Sequence, residues 1–165
     1  MNRESPTMTS RLALTALAML LLTSAARAND PAVDATLRAF GKAIDAGDMP
    51  AAKALHVAAP TILDEAAPYA WSGPKAFDTW LADLTKSETA EGITGAVLVI
   101  SPPSRENITG SNAYVIAPAT YTFTKNKATL REVAQMTFVL TKQAAHWKIA
   151  SWAWTGAEGV PIKAK

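Results

Sequence analysis

T-I-L-D-E-A-A-P-Y-A-W-S-G-P-K-A-F-D-T-W-L-A-D-L, residues Thr61 to Leu84, is the stretch around which the chain is organised. An apolar strand, Thr61-Ile62-Leu63, runs into two adjacent carboxylates, Asp64 and Glu65. A short loop with Tyr69 and Trp71 follows. Gly73-Pro74 then opens a helix with Phe77, Trp80, Leu81 and Leu84 on one face. Carboxylates at the end of an apolar strand, beside aromatic side chains, point to a mostly apolar pocket with one polar handle. Neighbours on a strand face opposite ways, so one carboxylate of the pair is expected inside. Asp64 is assigned to the pocket and Glu65 to solvent or the rim.

Upstream, the pattern is helical. Asp30 is a capping residue and Pro31 suits the first helical position. Val33, Leu37, Phe40 and Ile44 then recur at helical spacing as far as about Ala46, before Gly47. Asp48 caps a second, short helix from Met49 to about Leu55, with His56 at its end. The third helix is predicted from Pro74 to about Lys86. Downstream of Gly92, period 3.6 gives way to alternation. Strands are predicted at Thr94–Ile100, Ala113–Thr124, Thr129–Lys142 and His146–Trp154. Pro118 inside the second of these implies a bulge or an edge position. Alternation puts Trp147 and Ile149 on one face of the last strand and Trp152 and Trp154 on the other. Helices first and a long meander last make an α+β layout: three helices packed on a strongly curved, mainly antiparallel sheet.

The 165 residues are enough for one core and too few for two ordinary domains. The first 28 residues read as an export signal: Arg11, the uncharged run Leu12–Leu22, and the cleavage pattern Ala26-Arg27-Ala28. Either Met1 or Met8 can serve as its start. The expected organisation is a signal at 1–28, one domain at 29–156 and a loose tail at 157–165. The signal carries Arg3, Arg11 and Arg27 against Glu4, so without it the formal charge of +2 falls to zero. A nucleic-acid partner and stable attachment to an anionic membrane both lose their electrostatic basis. The chain has no Cys, and His56 and His146 are its only histidines. No ligand spacing for a metal and no Gly-rich phosphate loop is present, so neither metal nor cofactor is expected.

The order of elements resembles the nuclear transport factor 2-like superfamily, which includes ketosteroid isomerases, SnoaL-like polyketide cyclases and scytalone dehydratases. The residues that carry the likeness are Ala46-Gly47-Asp48, the strand ending at Asp64, Gly73 at the third helix, and Trp147-Lys148-Ile149. The resemblance spans about Val33 to Trp154 and implies a cystatin-like cone, often hollow. Asp64 follows Asp48 by sixteen residues, the spacing of the isomerase general base. The two oxyanion-hole donors of those isomerases correspond to Phe40 and Met136 here, and neither side chain donates a strong hydrogen bond. Losing one such donor typically costs about 10²–10³ in rate, so a standard steroid isomerase is disfavoured.

The residue reading is therefore an exported domain that binds a small hydrophobic molecule. Its acid/base candidate is Asp64, for cofactor-free isomerisation, dehydration or cyclisation. Phe40, His56, Tyr69, Trp71, Trp80 and Met136 are the expected substrate-binding residues. The alternative is a non-catalytic module of the same fold that dimerises through its sheet or binds another protein.

Overall fold

The computed structural model describes residues 30–162. The expected export signal lies outside them. Helix α1 (Pro31–Asp45) starts where Asp30 accepts a hydrogen bond from the Ala32 amide at 2.8 Å. Val33, Leu37 and Phe40 form its buried stripe. In α2 (Met49–Ala54) the Asp48 carboxylate accepts from the Ala51 amide at 3.0 Å. The third helix, α3 (Ala76–Glu91), ends at Gly92, whose φ of 68° is the left-handed conformation that a helix stop favours. It runs longer than periodicity alone indicates, because its second half has few apolar residues to mark it.

The strands are β1 (His56–Leu63), β2 (Ala70–Ser72), β3 (Thr94–Ile100), β4 (Arg105–Thr109), β5 (Asn112–Lys125), β6 (Ala128–Gln143), β7 (His146–Gly156) and β8 (Val160–Pro161). They form one sheet in the order β2-β1-β7-β6-β5-β3, with β4 also on β5 and β8 on β6. The β1–β7 pair is parallel and all the others are antiparallel. The fold is α+β with three helices on a strongly curved sheet, as expected from the order of elements.

Four local readings change. His56 opens β1 instead of ending a helix, so the strand is longer than Thr61–Leu63 and Pro60 lies within it. Pro118 is neither on an edge nor at a bulge. It sits on central β5 where the β3 ladder stops at Ala119 and the β4 ladder begins at Ile116. The carbonyl of Pro118 accepts from the Ser101 amide at 2.9 Å. Residues 157–162 are not a loose tail: Val160 and Pro161 pair with Arg131 and Leu130.

The fourth change reshapes the interior. On β7, Ile149 opposes Leu140 while Ser151 opposes Val139, leaving Ala150 as an extra residue. Such a bulge reverses which face the following side chains take. Trp147, Ile149 and Trp152 are consequently all buried, with Trp152 3% exposed. Helix α1 and Phe77 and Trp80 of α3 pack on this concave face, against Ile62, Val115, Phe138 and Leu140.

Candidate functional site

Asp64 is the first residue beyond β1. Its amide donates to the Tyr69 carbonyl at 3.1 Å, closing a loop that contains a cis Ala67–Pro68 bond. Its Oδ1 accepts from the Glu65 amide at 2.7 Å, and its Oδ2 accepts from the Trp80 indole at 2.6 Å. The Trp80 ring is held in turn edge-on against Trp152, with centroids 5.0 Å apart. Asp64 is thus oriented by a core aromatic, not by solvent.

A cavity of about 90 Å³ opens beside this carboxylate. Its lining includes Phe40 and Ile44 of α1, Trp80 and Leu84 of α3, and Leu98 of β3. Tyr121 of β5, Met136 of β6, and Trp152 and Trp154 of β7 also line it. Desolvation raises the Asp64 pKa, and the hydrogen bonds from Trp80 and from the Glu65 and Ala66 amides only partly offset it.

Of the residues expected from the sequence, Asp64, Phe40, Trp80 and Met136 come together around this cavity. His56, Tyr69 and Trp71 do not line it. His56 is 7% exposed, behind the wall, between the rings of Phe40 and Phe77. Its Nδ1 lies 3.0 Å from the Ala52 carbonyl, and its Nε2 lies 3.2 Å from the Trp152 indole nitrogen. An indole N–H only donates, so Nε2 is the acceptor and the ring is the neutral Nδ1–H tautomer. Burial lowers its pKa to about 4. Trp71 turns its N–H to Asp83 at 2.9 Å, and Tyr69 is 63% exposed.

Glu65 also lines the cavity and is itself exposed, as a rim carboxylate is. Because β1 ends at Leu63, it is the loop and not strand alternation that leaves Asp64 half-buried and Glu65 exposed. Beyond Glu65 the cavity meets an outer vestibule of about 550 Å³, with Glu65, Leu84 and Tyr121 common to both. Glu132 of β6 lines the vestibule and is buried. It shares a hydrogen bond with Glu65. Burial, then the nearby charges of Glu65, Asp64 and Glu91, push the Glu132 pKa up to about 7. Glu132 is therefore the proton-bearing member of the pair. The Trp154 indole is turned towards Glu65, but its N–H makes no hydrogen bond of normal geometry.

Sequence reasoning passed over Glu132 although its signal was present. It has the same parity as Leu130, Ala134 and Met136 on β6, so it is a charged residue at a core-facing position. Tyr121 shares the inward face of β5 with Ala119 and Phe123, and its hydroxyl donates to Glu88. No group of three His, Asp or Glu side chains among the described residues is arranged to hold a metal ion.

No family model matches the chain, and no curated protein matches it in sequence. Solved structures do match it. One is a nuclear transport factor 2-like protein with a cystatin-like fold from Novosphingobium aromaticivorans. It is 13% identical, with 75% of this chain and 79% of that one covered and a TM-score of 0.62. The fold is nuclear transport factor 2-like. A second structure with this fold is a scytalone dehydratase-like protein from the same organism, 13% identical, covering 82% of this chain and 88% of that one, at a TM-score of 0.64. A third is a hexachlorocyclohexane dehydrochlorinase, LinA type 3, from Novosphingobium barchaimii. It is 10% identical, covers 80% and 88%, and has a TM-score of 0.65. At these identities the likeness is one of fold. No helix among the described residues is long and apolar enough to cross a membrane.

Proposed function

We propose that the chain is an exported small-molecule-binding domain whose nuclear transport factor 2-like cone takes an apolar group. Asp64 is its cofactor-free acid/base. The observation that carries this reading is a desolvated carboxylate of raised pKa, held by an indole N–H on the wall of a mostly apolar cavity. Raising the pKa of a carboxylate makes its ionised form a stronger base towards a carbon acid. Two proteins of the same fold are described as a dehydratase and a dehydrochlorinase. Their names are in keeping with elimination chemistry in such a cone. Phe40, Trp80 and Met136 would contact the apolar part of the substrate.

The test is a carbon acid that needs only a base. Nitrobenzisoxazole loses its ring proton and opens in a single base-promoted step, with a coloured product. The purified domain should accelerate this reaction above the buffer rate. A rate equal to that of denatured protein would remove the acid/base part of the proposal.

Export is part of the same reading. The Leu12–Leu22 run and Ala26-Arg27-Ala28 motivate it. N-terminal sequencing of protein recovered from outside the cytoplasm should begin at Asn29. A product that keeps Met1 or Met8 would count against it.

One observation favours a second role for the opposite face. Val99, Thr120 and Val133 stand side by side across β3, β5 and β6, Val97 is exposed on the same strand as Val99, and the exposed pair Tyr114 and Val139 lies further along the same face. Exposed apolar side chains on one sheet face suit a homodimer. Sedimentation should give a dimer at micromolar concentration, and Val133→Glu a monomer. A wild-type monomer would dismiss the sheet interface.

A further inference from the structure

We infer that the vestibule is a cation subsite, so that the molecule bound by this domain carries an organic ammonium group attached to the apolar part held in the cavity. The inference rests on the pocket reading above and adds the chemical class of the ligand. Five carboxylates line the vestibule, those of Glu65, Glu88, Glu91, Glu132 and Glu158, against one cation, Lys125. Lys125 is already committed to Glu91 at 2.7 Å, and Glu88 accepts from the Tyr121 hydroxyl. Glu65, Glu132 and Glu158 remain without a cationic partner in the described residues.

Glu132 carries the argument. It is only 7% exposed, and its Oε2 has no hydrogen-bond partner. A buried acceptor left unpaired is costly, and a buried carboxylate costs more unless a cation or a proton neutralises it. In the free protein that role falls to the proton shared with Glu65. An ammonium group supplies the missing donors and the missing charge together. Tyr121 and Phe123 flank the same space with ring centroids 5.2 Å apart, and aromatic faces attract an organic cation. The inner cavity beyond Glu65 then receives the carbon chain. An organic cation fits better than a metal ion, because no three carboxylates here are arranged around one point.

Binding an ammonium displaces the Glu132 proton to solvent, so affinity should rise with pH through the neutral range. The groups facing Glu132 set this dependence. They are Asp64 and Glu65 from the loop after β1, Glu88 and Glu91 from α3, Tyr121 and Lys125 from β5, and Glu158 after β7. All but Tyr121 and Lys125 are carboxyls, and each that ionises favours the cation further.

Three probes of one shape separate the two layers of the proposal: n-hexylamine, n-hexanol and n-hexanoate. Each is titrated into the full domain and followed by the indole N–H signals. Hexanol reports the apolar cavity alone. Hexylamine should bind about tenfold or more tightly than hexanol at pH 8, less so at pH 6, and hexanoate more weakly than either. Glu132→Gln should abolish the amine preference while hexanol affinity changes by less than twofold. Hexanol binding with no amine preference overturns the cation subsite and leaves the cavity reading intact. No binding of any of the three overturns both. The affinity ratios of the wild type need no variant, so the test stands however Glu132→Gln folds.

Discussion

Asp64→Asn is expected to lower the rate of proton abstraction from nitrobenzisoxazole by about 10²–10⁴, the usual contribution of a positioned general base. The amide is nearly isosteric with the acid, and its oxygen still accepts the Trp80 indole hydrogen bond that orients the side chain. What it cannot do is accept a proton from carbon. The thermal midpoint should hold or fall slightly: the desolvated charge is removed, but the amide NH2 now meets the Glu65 N–H that Oδ1 accepted. Hexanol affinity should change little. The wild-type rate should fall as pH drops through the raised Asp64 pKa, since only the ionised form is a base. Glu65→Gln belongs in the same experiment, because Glu65 lines the same cavity. Should the Glu65 variant lose the rate and the Asp64 variant keep it, the base is Glu65. Should both match wild type, the cavity binds without catalysing.

His56 is expected to make the fold acid-sensitive. It is buried and neutral, with a pKa of about 4 against about 6.5 in an unfolded chain. Between these values the unfolded state binds more protons than the folded one, so stability falls as pH falls from about 6.5 towards 4. The full loss is about 3 kcal/mol. There is a contact-level reason as well: protonating Nε2 sets a donor against the Trp152 N–H that now donates to it. Glu132 acts in the opposite sense. Its folded pKa of about 7 lies above its unfolded value, so its contribution is present at low pH and is lost as pH rises towards 7. The two slopes oppose one another from about pH 4.5 to 6.5, and urea midpoints of the wild type alone would blur them. His56→Gln separates them. Glutamine accepts from Trp152 and donates to the Ala52 carbonyl but does not titrate. At pH 7.5 it should cost about 1–2 kcal/mol for imperfect packing, and by pH 4 it should be as stable as wild type or more so. Parallel pH profiles for the two proteins would mean that His56 stays neutral, or solvated, throughout.

His56 also marks a limit of reading sequence by comparison. His56 is expected among the substrate-binding residues, and it does stand one ring behind the cavity. Its two nitrogens, however, are both committed to the scaffold. The structural role follows from those partners, which no local pattern around residue 56 announces.

Much of this protein follows from local rules. Asp30 with Pro31, Asp48 with Pro50, and Gly92 mark helix ends by the hydrogen bonds or dihedrals they alone supply easily. The 3.6 and 2.0 periods assign element types, and helices followed by a meander leave few ways to bury one face of each. That much, with Asp64 beside the core, was determined by the sequence. The site's inner face was not. One extra residue, Ala150, turns Trp152 and Trp154 inward, and its position depends on pairing with β6, which is a separate strand with its own register. β1 stops at Leu63, so the loop and not strand alternation leaves Asp64 half-buried and Glu65 exposed where cavity and vestibule meet. Glu132 meets Glu65 only because the sheet brings β6 past the loop that follows β1, and a carboxyl pair that shares a proton is a property of that meeting. Periodicity describes how one segment divides its faces. Which buried charge meets which is settled by long-range register, where a shift of one residue reverses the answer.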